Sequence, residues 1–265
     1  MNTQQSLRIQ LLFTARSGHL NRVKFLLDAG AGIESQDYDN NTILHLAAKN
    51  GHLDAVQYIF EAGANLEAEN INLDTLLILA VENGHLDIVL ALLEAGANIK
   101  SSNEMYQTPL SIASKNGNLK IVNFLLEAGA KETLEEESSC ELTPLHFAAE
   151  NGHLSVVLAL LEAGANTKAE DAEYQTPLDL AEENDYDEIV RAIENHINNP
   201  DNSIKTIGKN SPFKEPQNEL LDKTVKDTAT PEVGENHKKS RPSRRSRLSP
   251  TTKKNKILKH FYSPY

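Results

Sequence analysis

Apolar residues along this chain come in paired short bursts that return at a nearly fixed interval. In one pair, Leu86, Val89, Leu92 and Leu93 fall at spacings of three, three and one, a single stripe at helical period. The burst that opens another pair is shorter and holds Leu145, Phe147, Ala148 and Ala149. An Asn-Gly step such as Asn151-Gly152 separates the two bursts, and Ala95-Gly96-Ala97-Asn98 closes the second. A polar stretch of about ten residues then leads to the next pair. The pattern predicts helix, tight turn, helix, polar loop. The first glycine recurs at Gly18, Gly51, Gly84, Gly117 and Gly152, and the second at Gly30, Gly63, Gly96, Gly129 and Gly164, both in steps of 33, 33, 33 and 35. Two short helices cannot bury their own apolar stripes, so such units must lean on their neighbours in a stack. A stack of this kind presents a long surface to a partner.

The ends of the helices are written in the same repeat. Thr108-Pro109, Thr143-Pro144 and Thr176-Pro177 open the first helix of three units. Threonine suits the N-cap, where its hydroxyl accepts a free backbone N–H, and proline suits the first helical position, where no N–H is needed. Glycine after asparagine tolerates the left-handed turn that stops a helix.

The run "LTPLHFAAENGHLSVVLALLEAGAN" at 142–166 resembles the ankyrin repeat, and the resemblance spans roughly residues 5–198. It implies an all-α solenoid: an L-shaped stack of antiparallel helix pairs with hairpin fingers along one edge. Six units are expected, at about 5–33, 34–66, 67–99, 100–134, 135–167 and 168–198. The first has Ile9-Gln10-Leu11-Leu12 in place of the threonine motif, and the sixth has Asp185 in place of the glycine, as capping units do. The second unit has Ile43 in place of proline. The third reads Thr75-Leu76-Leu77-Ile78-Leu79-Ala80-Val81, a weaker repeat that is still helical. Two residues before the threonine, the family's glycine is replaced by Asn40, Leu73, Tyr106 and Tyr174. Leucine and tyrosine resist positive φ, so irregular fingers are expected. The loop "KETLEEESSCEL" carries two extra residues and predicts a longer, acidic finger before the fifth unit.

Charge divides the chain. Residues 1–199 carry 11 basic and 31 acidic side chains, net −20, whereas 200–265 carry 15 and 7, net +8. The latter segment loses the repeat, is poor in apolar residues, and reads as a disordered basic tail rich in Ser, Pro, Lys and Arg. Its run "HKKSRPSRRSRLSPTTKKNKILK" concentrates Lys238, Lys239, Arg241, Arg244, Arg245, Arg247, Lys253, Lys254, Lys256 and Lys259. Four readings stand beside one another: a solubilising segment, a nuclear-import signal, an RNA or acidic-lipid contact, and a phosphorylation-controlled switch at Ser-Pro and Thr-Pro steps. Ile257-Leu258-Lys259-His260-Phe261-Tyr262 is the apolar cluster of that basic end and has the form of a short docking peptide. The single cysteine, Cys140, excludes an intrachain disulfide and fits a reducing compartment. No secretory signal is visible in "MNTQQSLRIQ", and the apolar run Leu76 to Val81 is far too short to span a bilayer. A monomer is expected, intracellular and cytoplasmic, with nuclear entry as a role for the tail.

No catalytic, cofactor or metal constellation stands out. His45, His52, His85, His146 and His153 all belong to the repeat motif, and the resemblance implies that they hydrogen-bond backbone between units. Glu135-Glu136-Glu137 reads as a solvated loop, and Cys140 has no histidine partner at a recognisable spacing. No glycine loop for phosphate appears.

The resemblance implies instead a protein-binding face, formed by the finger tips and the exposed side of each first helix. By position these are Tyr38, Asp39, Asn41 and Lys49; Ile71, Asn72, Asp74 and Glu82; and Glu104, Met105, Gln107 and Lys115. The fifth unit contributes Ser139, Cys140, Leu142 and Glu150, and the sixth Ala172, Glu173, Gln175 and Glu183. Carboxylates mixed with Tyr, Ile, Leu and Met suit a protein partner with a basic rim around an apolar anchor. Nucleic acid fits the tail better than the repeats. The sequence thus points to a non-enzymatic adaptor whose basic tail serves targeting or regulation. The alternative is a translocated effector of a host-associated microbe, secreted into a host cell to act on a host protein.

Overall fold

The computed structural model describes residues 3–199. The expected disordered tail, its basic segment and its terminal apolar cluster lie outside the described residues. Within them the chain is all-α, as the periodicity predicts. Twelve helices form six pairs: α1 (Thr3–Arg16) with α2 (Leu20–Asp28), α3 (Ile43–Lys49) with α4 (Leu53–Glu61), and α5 (Leu76–Glu82) with α6 (Leu86–Ala95). The others are α7 (Pro109–Lys115) with α8 (Leu119–Ala128), α9 (Pro144–Glu150) with α10 (Leu154–Ala163), and α11 (Pro177–Glu183) with α12 (Asp187–Asn198).

First helices stack on first helices, α1 on α3, α3 on α5 and so on to α9 on α11, while α2 to α12 form a second layer behind them. That placement explains the third unit. Leu76 through Val81 are all buried, because α5 meets α3 on one side, α7 on the other and α6 behind. A helix covered all round has no need of an alternating pattern. The unit is therefore helical, as expected, and its apolar density answers its central position.

Threonine caps behave as predicted: Thr75 and Thr108 accept backbone N–H from Ile78 and Ser111. At Thr42 and Thr143 the cap is reciprocal, because the histidine three residues on accepts the threonine's own N–H through Nδ1. A second set of histidines joins successive units. His52 Nε2–H donates to Arg16 O at 2.9 Å, His85 to Lys49 O at 3.1 Å and His153 to Lys115 O at 3.0 Å. The fourth unit has Asn118 at that position, and Asn116 Nδ2 donates instead to Glu82 O at 3.1 Å. The same class of carbonyl is thus satisfied by a different donor.

The ends differ from the middle. Helix α1 is twice as long as the other first helices, and its extra turns occupy the stretch where later units have a finger. Without a finger over it, Phe13 is 65% exposed, whereas Phe147 at the same place in the fifth unit is buried. In the sixth unit Tyr186 takes the place of the linking histidine, and Asp185 adopts the positive φ of the missing glycine.

Candidate functional site

Five finger turns precede α3, α5, α7, α9 and α11, and all five share one hydrogen-bonding scheme. Each closes with a backbone bond over four residues: Asp37 N to Asn41 O, Asn70 N to Asp74 O, Asn103 N to Gln107 O, Ser138 N to Leu142 O and Asp171 N to Gln175 O. The residue before the last is left-handed in every case: Asn40, Leu73, Tyr106, Glu141 and Tyr174, with φ between 56° and 62°. The irregular fingers expected from the missing glycines are not found. The reason lies in the first residue of each turn. Asp37, Asn70, Asn103 and Asp171 accept two N–H groups through Oδ1, and Ser138 does so through Oγ. With the backbone bond, these hold a conformation that a bulky residue would otherwise avoid.

The turns also bond to one another in a single direction. Ile71 N donates to Asp39 O, Glu104 N to Asn72 O, Ser139 N to Met105 O and Ala172 N to Cys140 O, at 2.8–3.3 Å. The fifth unit keeps this register despite its two extra residues. They are taken up earlier, in a 3-10 turn at Ala130–Thr133, with Thr133 and Leu134 buried. The finger itself is no longer than its neighbours, contrary to expectation.

Beneath the tips, His45 Nε2–H donates to Asp74 O and His146 Nε2–H to Gln175 O, both at 3.2 Å, so a first helix holds the base of the next finger. Their Nδ1 atoms accept threonine N–H, which requires neutral rings. Burial, the largest influence, pushes both histidines below their ordinary pKa, against the backbone acceptors that favour the proton.

Most of the expected binding residues lie on this surface. Tyr38, Asp39, Ile71, Asn72, Glu104, Met105, Ser139, Cys140, Ala172 and Glu173 are exposed on the tips. Lys49, Glu82, Lys115, Glu150 and Glu183 are exposed at the ends of the first helices. Three residues turn inward instead. Asn41, Asp74 and Gln107 are 7–8% exposed in the finger stems. Asn70 Nδ2 donates to both Asn41 Oδ1 and Asp74 Oδ2, so these two side chains brace adjacent fingers and are not offered to a partner, whereas Gln107 lines the groove between the fourth- and fifth-unit fingers. Leu142 and Gln175 are half-buried, the latter donating to Glu183 Oε2.

Between the fourth- and fifth-unit fingers and the ends of α7 and α9 lies a groove of about 230 Å³. Met105, Ser139, Cys140, Leu142 and Phe147 line it, with Lys115 and Glu150 at its helical edge. Lys115 Nζ sits 5.7 Å from the centroid of the Phe147 ring. Among the described residues no group of three or more His, Cys, Asp or Glu is placed to hold a metal ion. No helix among them is long and apolar enough to cross a membrane. The turn-organising residues escaped the sequence reading, yet Asp37, Asn70, Asn103, Ser138 and Asp171 each stand five positions before a capping threonine. That regularity was available in the sequence.

The model of ankyrin repeats matches three times, at residues 7–70, 68–136 and 110–204. No curated protein sequence matches the chain. Among solved structures, one chain from the complex of the predatory endopeptidase Bd0816 of Bdellovibrio bacteriovorus with immunity protein Bd3460 is similar. It is 29% identical, with a TM-score of 0.65, over 70% of this chain and 96% of that one.

Proposed function

The chain belongs to the ankyrin repeat family, and from that premise we propose that it is a non-enzymatic adaptor holding a protein partner against its fingers and first helices. Ankyrin repeats serve protein–protein interaction, and the finger surface described above has the materials for it. The observation that carries the proposal is the groove at the fourth and fifth units. Met105, Lys115, Cys140, Leu142 and Glu150, chosen by position in the repeat, line one concavity in which apolar walls meet two opposite charges. In this reading residues 1–199 are the binding domain, and 200–265 are a basic segment for targeting, nuclear entry or regulation.

The test is capture of partners from a lysate of the cell that makes the protein. The full tagged chain is compared with a Met105→Ala/Leu142→Ala/Glu150→Lys variant of matched thermal midpoint. A protein retained by the first and lost from the second supports the groove; equal retention by both refutes it. The structural neighbour from an endopeptidase–immunity complex favours a narrower second reading, in which the partner is an enzyme held inactive by the stack. A captured enzyme whose turnover is unchanged by added chain would rule that reading out.

A further inference from the structure

The finger turns carry a cost that folding does not explain. Their left-handed position favours glycine, and Asn40 shows that a small polar residue also fits. Yet this chain places Leu73 and Tyr106 there, at φ of 60° and 56°. Bulky side chains are the least suited to that conformation. Packing offers little in return, since Leu73 remains 46% exposed and Tyr106 66%. Strained residues that serve neither backbone nor core are characteristic of ligand contacts.

The two residues have company. Ile71 and Met105 stand on the same turns, both largely exposed, and the bond from Glu104 N to Asn72 O ties the two turns together. At Met105 this surface continues into the groove. Charge on the finger turns has one sign: residues 37–41, 70–74, 103–107, 138–142 and 171–175 hold seven acidic and no basic side chains, the nearest cation of the groove being Lys115 at its helical edge. Glu104 and Glu141 are exposed on the turns themselves.

We infer that Leu73 and Tyr106, together with Ile71 and Met105, form an apolar docking edge for a lysine- or arginine-rich segment of a protein partner. Its apolar side chains pack on this edge while its cations meet Glu104 and Glu141. The inference rests on the protein-binding reading above; it narrows the expected basic partner to a cationic segment with apolar side chains and adds Leu73 and Tyr106 as its contact residues.

The probe is a fluorescent peptide alternating lysine and leucine, titrated against the full chain by anisotropy, with lysine–serine and glutamate–leucine peptides as controls. The lysine–leucine peptide binds best. In Leu73→Asn/Tyr106→Asn its affinity falls about tenfold or more while the thermal midpoint is unchanged or raised. Asn40→Gly changes neither affinity nor midpoint. Unaltered affinity in the double variant overturns the inference, as does equal binding of the lysine–serine peptide, which would reduce the interaction to charge alone. A lowered midpoint in the double variant also overturns it, by giving the two residues a role in the fold. If no peptide binds the native chain, the inferred partner chemistry is wrong. The protein-binding reading then stands or falls separately, on the capture experiment with Met105 and Leu142.

Discussion

Two glycines at equivalent turns allow the linking histidines to be weighed. Gly51 and Gly84 each stand between the helices of a unit, at φ of 77° and 75°. A Cβ built on Gly51 would lie 2.7 Å from Cε1 of His85, whereas one on Gly84 would meet only Asn118 Nδ2, at 3.6 Å. Alanine at either site is strained by about 1–2 kcal/mol in the left-handed region. It recovers about 0.4–1 kcal/mol by restricting the unfolded chain. Gly84→Ala should therefore cost about 0.5–1 kcal/mol. Gly51→Ala adds an overlap with the imidazole, about 1–3 kcal/mol, and endangers the His85–Lys49 hydrogen bond, about 1 kcal/mol more. We expect a total of about 2.5–5 kcal/mol. Urea unfolding of the full chain, followed by circular dichroism, measures both variants on one scale. A second arm replaces the histidine: Gly51→Ala/His85→Asn recreates the fourth-unit arrangement and should recover most of the overlap cost. Equal losses at Gly51 and Gly84, or no recovery in the double variant, would refute the idea that the histidine ring sets the glycine requirement.

Other consequences are as direct. His45 and His146 must be neutral to accept threonine N–H, and burial holds them below the ordinary value of 6.5. Their contribution is therefore complete above pH 6.5 and declines as pH falls below it, because the unfolded chain takes up the protons first. Urea midpoints from pH 8 to 5 should fall for the native chain and flatten in His45→Gln/His146→Gln. Asn103→Ala removes the acceptor of two turn amides and should cost about 1–2 kcal/mol, with faster hydrogen exchange at Met105 and Gln107 as the specific sign. Ending the chain after Asn199 should leave the thermal midpoint unchanged, and a marked fall would move the proposed domain boundary. Glu104→Lys and Glu150→Lys should slow association with a captured partner and weaken its salt dependence, while dissociation changes little.

The stack was legible because its signals are local and repeated. Thr75, Asn83 and the stripe from Leu86 to Leu93 each state one feature of a unit, and stacking follows from their period. The fingers were harder. Leu73 and Tyr106 violate a rule about single residues, and the compensation sits three residues earlier, in Asn70 and Asn103. A reading that weighs positions one at a time sees the violation and not its remedy. The same limit affects the site. Asp74 and Gln107 directly follow the exposed Leu73 and Tyr106, but only neighbouring fingers decide that their own side chains are largely enclosed. The extra pair of residues before the fifth unit was counted correctly and placed too late, since sequence gave no reason to prefer the helix end over the finger.

That extra pair bears on how a protein of this kind can change in length. One residue added within a helix would rotate everything after it by about 100°. One added within a finger would break the bonds to the turn before it. At Ala130–Thr133 two residues enter and both linkages downstream survive: His146 still reaches Gln175, and Ala172 still reaches Cys140. The junction after α8 is thus a splice point, where inheritance or the bench can lengthen the chain without resetting the units that follow. A short reporter inserted between the exposed Glu136 and Glu137 would clear the buried Thr133 and Leu134, stand next to the groove-lining Ser138, and leave the periodic frame in step on either side of it.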